Sequence, residues 1–138
     1  MSFFLPAFQI VIGVEGGYSN DPRDPGGETK FGISKRAYPN VDIPRLTLEQ
    51  AQGIYRRDYW DACGCDTMSW ERALCVFDMA VNQGQGAARA LNVQAHDTAE
   101  LMAERAVRYA DNKNFPTYGK GWMNRLFKVF KSAQVTPQ

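Results

Sequence analysis

Residues 3–34 read FFLPAFQIVIGVEGGYSNDPRDPGGETKFGIS, and the stretch divides at Glu15. Before it, Phe3 to Val14 is almost wholly apolar. Such a run, with Pro6 in the first turn where no backbone N–H is needed, predicts a buried helix. After it the chain changes character. Residues 16–34 hold five glycines and two prolines, which mean repeated turns, and Gly16-Gly17 is the expected helix stop. Tyr18, Thr29, Phe31 and Ile33 are suited to short strands, so a small hairpin or ordered loop is predicted beside the first helix.

Glu15 stands where the apolar helix meets these turns. Burial beside Phe, Ile and Val disfavours a carboxylate, and the partial negative charge at a helix carboxyl end disfavours it again. Both effects raise the pKa and favour a protonated carboxyl near neutral pH. That is the state of a general acid that protonates a leaving oxygen, as in glycosidic cleavage. A structural glutamate paired with an arginine such as Arg23 is the plainer alternative. The neighbourhood weighs against it: a hairpin over 16–34 folds Asp24 and Thr29 back toward Glu15. Asp24 reads equally as a turn residue within Asp-Pro-Gly-Gly, and Asp21 in Asn-Asp-Pro more readily so.

Outward from this region the sequence is helical. Thr47 with Gln50 forms a capping-box pattern ahead of an apolar face of Leu48, Ala51, Tyr55 and Tyr59. The next helix carries Trp70, Ala73, Leu74, Phe77, Ala80 and Val81 and is apolar on most sides, so it is expected at the centre. Its polar stripe is Glu71, Asp78, Asn82 and Gln85. A short helix is expected near 86–94. Asp97 with Glu100 caps another, with a predicted inner face of Ala99, Met102, Ala103, Ala106 and Ala110. Trp122, Leu126, Val129, Phe130 and Ala133 mark the last. The fold class is α-rich α+β, five or six helices with one small β-hairpin or loop element around a central helix.

At 138 residues, 44% of them hydrophobic and 22% charged, the chain suits one globular domain that buries its core without staples. Residues 1–100 carry 9 Lys/Arg against 13 Asp/Glu, hence −4; residues 101–138 carry 7 against 2, hence +5. A basic carboxyl end, with Lys113, Lys120, Arg125, Lys128 and Lys131, suits an anionic polymer or is simply a solvated helix face. Cys63, Cys65 and Cys75 make an odd count that argues against a secreted disulfide framework. With His96 the only histidine, no metal site is expected. The apolar amino end is too short for a membrane span and lacks a basic leader, so stable membrane insertion is not expected.

The run EGGYSNDPRDPGGETKFGIS resembles the opening motif of the glycoside hydrolase family 108 muramidases, lysozyme-like enzymes of bacteria and phages. The similarity continues through LTLEQAQGIYRRDYWDAC, then VFDMAVNQGQGAARAL and GWMNRLFKVF. The last two resemble the peptidoglycan-binding region that usually follows the catalytic motif, placed here at 70–133. The resemblance implies a single lysozyme-like catalytic domain over 1–138, with Glu15 as the acid and Asp24 and Thr29 in support. The wider phage-lysozyme pattern sets five residues before the threonine; here four separate Asp24 from Thr29. The segment LNVQAHDTAEL is shorter than is usual in the family, so no separate wall-binding module is expected.

The implied function is hydrolysis of the β-1,4 bond between N-acetylmuramic acid and N-acetylglucosamine by a phage or prophage endolysin. The implied partner is the peptidoglycan glycan strand, with no cofactor, no metal and no nucleic acid, and a monomer is expected. The enzyme would be made in the host cytoplasm and released to the wall at lysis. A lytic transglycosylase and a non-catalytic peptidoglycan-binding protein are the rival functions. Asp78, Asn82 and Gln83 are candidates for lining the sugar groove, and Tyr18 and Tyr118 for stacking on sugar faces. Trp122 lies on the apolar stripe of its helix and is expected in the core.

Overall fold

The computed structural model describes residues 2–14 and 17–138. Glu15 and Gly16, and with them the expected acid and half of the glycine stop, lie outside the described residues. Among the described residues, six α-helices and one two-stranded antiparallel sheet make an α-rich α+β fold.

Helix α1 spans Phe4–Val14 and buries Phe4, Ala7, Phe8 and Val11, the i, i+3, i+4, i+7 set of one helix face. Strands β1 (Thr29–Lys30) and β2 (Ile33–Ser34) form a hairpin in which Thr29 faces Ser34 and Lys30 faces Ile33. The two-residue turn between them, Phe31-Gly32, has φ of 51° and 76°. That is the left-handed turn whose twist matches a hairpin; Gly32 adopts it freely, whereas Phe31 bears a steric penalty. The Phe31 carbonyl accepts a hydrogen bond from the Tyr55 hydroxyl at 2.5 Å, and Ile33 enters the core at 1% exposure. Phe31 is therefore a turn residue, not a strand residue as its side chain suggests.

Helix α2 (Leu48–Tyr55) opens with the expected reciprocal box: Thr47 Oγ1 accepts from Gln50 N, and Gln50 Oε1 accepts from Thr47 N. It widens into a π-helical segment, Arg56–Asp61, that turns Trp60 fully inward. Helix α3 (Trp70–Gln83) is capped by Ser69 and buries every residue from Ala73 to Ala80. It packs on α1, on α4 (Gln85–Gln94), on α5 (Thr98–Ala110) and on α6 (Phe115–Ala133), and so is the central helix. Gly84, at φ 95°, separates α3 from α4, which leaves Gln85 out of the α3 stripe. Phe4, Trp60 and Phe77 meet edge to face at its core, with ring centroids 5.3–5.9 Å apart.

Leu48, expected on the apolar face of α2, is exposed, and on α5 the inner face as a whole differs from expectation. Helix α5 begins as predicted, with Asp97 Oδ1 accepting from Glu100 N and Glu100 Oε2 accepting from His96 N. Its buried residues, however, are Thr98, Leu101, Met102, Arg105 and Tyr109, while Ala99, Ala103 and Ala110 face solvent. The helix is rotated by about one residue, or roughly 100°. The reason is Arg105, whose charge is met inside by Asp78, so the polar residue points in and the alanines point out.

Candidate active site

The turn-rich segment is more ordered than its composition suggests. Ser19 and Thr29 exchange two backbone hydrogen bonds at 2.7 and 2.8 Å, so Thr29 lies between Ser19 on one side and Ser34 on the other. Asp24 makes an Asx turn: Oδ1 accepts from Gly26 N at 2.8 Å, and its carbonyl accepts from Gly27 N. A Cβ on Gly26 would sit 3.2 Å from Asp24 Oδ1 and 3.4 Å from Ser34 Cβ, so glycine is what lets this turn close onto β2. Thr29 Oγ1 donates to Gly27 O at 3.3 Å. The hydroxyl of Tyr18, an exposed residue, donates to Glu28 Oε2 at 2.7 Å, and that bond is the main reason its pKa lies above the usual tyrosine value. Arg23 is bonded to Asp21, and the contact holds the Asp21 carboxyl below its ordinary range.

A cleft of about 570 Å³ opens where α3 and α5 end and α6 passes. Asn82, Gln83, Arg108, Tyr109, Asp111, Asn112 and Trp122 line it. Two expected groove residues, Asn82 and Gln83, are thus brought together here. Trp122, assigned by periodicity to the core, is half-buried and faces this cleft. It stacks on Tyr109 at 5.1 Å with planes 20° apart, and Tyr118, 57% exposed, flanks it at 6.0 Å.

Asp78 is not a wall of that cleft. It is fully buried and held by Arg105 Nη2 at 2.7 Å and Arg125 Nη2 at 2.9 Å. The expectation that Asp78 touches sugar is corrected: with no exposed surface, it acts by holding two arginines. Arg125 likewise leaves the basic surface end, being 13% exposed and turned onto Asp78. From Asp78 the network runs to the cleft. Arg105 Nε donates to Gln83 Oε1 at 2.9 Å, Arg105 Nη2 donates to Tyr109 Oη at 3.0 Å, and the Tyr109 hydroxyl donates to Asn82 Oδ1. Sequence reasoning missed Arg105, Arg108 and Tyr109. The signal was an arginine and a tyrosine four apart on an alanine-rich helix, which is ambiguous without knowing which way the helix faces.

Among the described residues, no group of three or more His, Cys, Asp or Glu is placed to hold a metal. No helix among them is long and apolar enough to cross a membrane. The three thiols are free.

The chain matches glycosyl hydrolase 108 over residues 8–84, more than half its length. It belongs to that family. The match takes in α1 from Phe8 on, Glu15, the hairpin, α2 and α3. The solved structure of Brucella abortus SagA is similar, with a TM-score of 0.82 and 27% identity over 95% of this chain and 93% of that one. No curated protein matches. As a member of family 108, the chain has the chemistry of a glycoside hydrolase, and it shares its fold with 93% of the SagA chain, well beyond the length of the family match.

Proposed function

We propose that this chain is a muramidase that hydrolyses the β-1,4 bond between N-acetylmuramic acid and N-acetylglucosamine. The family and the likeness to SagA support a peptidoglycan hydrolase. The observation that carries the reading is the family match itself, because it spans both the Glu15 segment and Asn82 and Gln83 on α3. Glu15 directly follows α1 in sequence. It donates its proton to the glycosidic oxygen as the bond to the anomeric carbon breaks. Water then adds to that carbon, and its proton returns to the carboxylate pair. Asp24, or a water it orients, attends the cation; Thr29 steadies the same turn. Residues 70–133 hold the glycan strand within a single domain over 1–138, through Asn82, Gln83 and the ring of Tyr118, and the ring of Tyr18 adds a contact from the turn-rich segment. The enzyme acts as a monomeric endolysin, made in a phage host's cytoplasm and released to the wall at lysis.

The test is turbidity loss of permeabilised Gram-negative cells. Glu15→Gln is expected to lower the clearing rate at least about 100-fold without unfolding the protein. Equal clearing by both proteins removes Glu15 as the acid. Released fragments carry an added water if the reaction is hydrolysis; anhydro ends make the chain a transglycosylase.

A further inference from the structure

The buried Arg105 decides what kind of atom the cleft can hold. A guanidinium only donates hydrogen bonds, so the Asn82 and Gln83 side chains must turn their oxygens toward it. Gln83 Oε1 accepts from Arg105 Nε at 2.9 Å, and Asn82 Oδ1 accepts from Tyr109 Oη and Arg105 Nη2. The amide NH₂ groups then point away from the network. Asn112, on the same wall, is fixed alike: its Oδ1 accepts from Asn114 N at 2.8 Å. The Asn112 NH₂ is therefore left for the cleft. Arg108 adds a cation, and among the described residues Asp111 is the one acid lining the cleft. Arg105 itself cannot rotate to release the amides. It is 0% exposed and ion-paired to an equally buried Asp78, so a change of pose would strand charge in the interior.

We propose that this cleft is a binding subsite for a sugar substituent rich in hydrogen-bond acceptors, an acetamido carbonyl or a carboxylate. Arg105 is its positioning residue, and Trp122 offers the adjoining stacking face. Arg105 sets the polarity of the site without touching the ligand. The inference rests on the muramidase reading for the identity of the sugar, but its test is binding and needs no turnover.

The test is calorimetric titration of the full chain with two disaccharides: N-acetylglucosaminyl-N-acetylmuramic acid, which carries a lactyl carboxylate, and chitobiose, which has acetamido groups only. Asn82→Asp and Gln83→Glu keep an oxygen for Arg105 but replace the donor facing the cleft. Each is expected to weaken binding of the muramic disaccharide about tenfold. The melting temperature should hold, since the Arg105 contact survives. Weakened chitobiose binding as well assigns the acetamido carbonyl as the acceptor; an effect on the muramic sugar alone assigns the carboxylate. Arg105→Lys, which retains a charge beside Asp78 but cannot fix both amides, should weaken binding too, and adding Asn82→Asp to it should cost less than in the native protein. Binding within twofold of native in both single amide variants overturns the proposal, as does failure of the native chain to bind either sugar. Should the native chain bind with the expected variant losses yet leave walls uncut, the subsite stands and the muramidase reading falls. Should it cut walls while the variants bind like the native protein, the reverse holds.

Discussion

Asp66 shows how much one exposed carboxylate can gather. Ser2 Oγ donates to it at 2.6 Å, Trp60 Nε1 at 2.9 Å and Arg56 Nη2 at 2.9 Å. The Ser2 hydroxyl first, then the indole N–H, hold its pKa below the usual aspartate value. Because the folded pKa is depressed, the stabilisation is fully present above the unfolded value of about 3.9. It is lost as pH falls through the folded value. With 45% of the side chain exposed, solvent screens the contact. Asp66→Asn should therefore lower stability by no more than about 1 kcal/mol at pH 7. Urea melts at descending pH should show the gap to the native protein closing below about pH 4. The thiols behave oppositely. Burial pushes Cys75 up to about 12 and Cys65 well above the ordinary thiol range. A thiol reagent at pH 8 should leave both unlabelled in the folded protein and react with all three cysteines after denaturation. Asp24 belongs at this scale too: its turn role was visible in Asp-Pro-Gly-Gly, and the Asx geometry follows from it.

Among the elements, the starts of helices were the most legible features. The Thr47–Gln50 box and the Asp97–Glu100 cap are local chemistry, set by residues three apart, and both form as written. How a helix ends against its neighbour was not legible. Helix α4 has ten residues, few for a helix that must stand alone. Its end is held from outside: Arg72 of α3 donates to Asn92 Oδ1 at 2.6 Å and, through Nη2, to the carbonyls of Asn92 and Ala95 at 2.8 Å each. These carbonyls lack intrahelical partners, and a cation there also meets the negative end of the dipole. Arg72→Met, which retains much of the stem, should cost about 2 kcal/mol. Amide hydrogen exchange should quicken in α4 before it does in α3. The misjudged face of α5 has a similar origin. Alanine is tolerated on either side of a helix; Leu101 and Tyr109 share the buried side with Arg105, but an arginine is ordinarily read as outward.

Across the whole molecule, Asp78 is the junction. It lies on α3, Arg105 on α5 and Arg125 on α6, so one buried carboxylate joins three of the four helices at this end. Removing its charge leaves two guanidinium groups facing each other in the interior. Asp78→Asn should therefore destabilise by about 3–5 kcal/mol, far more than the loss of a surface pair. Thermal melts should show this, and the loss of Trp122 order in near-ultraviolet dichroism should accompany it, since Arg105 reaches Tyr109 and Tyr109 stacks on Trp122.

By itself the sequence determined the helical content, the caps, the central place of α3 and the glycine-rich hairpin after α1, because each is written in near-neighbour spacing and backbone preference. It also marked Asn82 and Gln83, polar residues at the end of an apolar helix. Only the tertiary structure decided that Asp78 is inside, that Arg105 turns α5 to meet it, and that Trp122 borders a cleft. The physical reason is that a buried charge is tolerable only beside its counter-charge, and that partner lies 27 positions away from Asp78 on a different helix. No local pattern encodes such a pairing; it exists once the helices have packed.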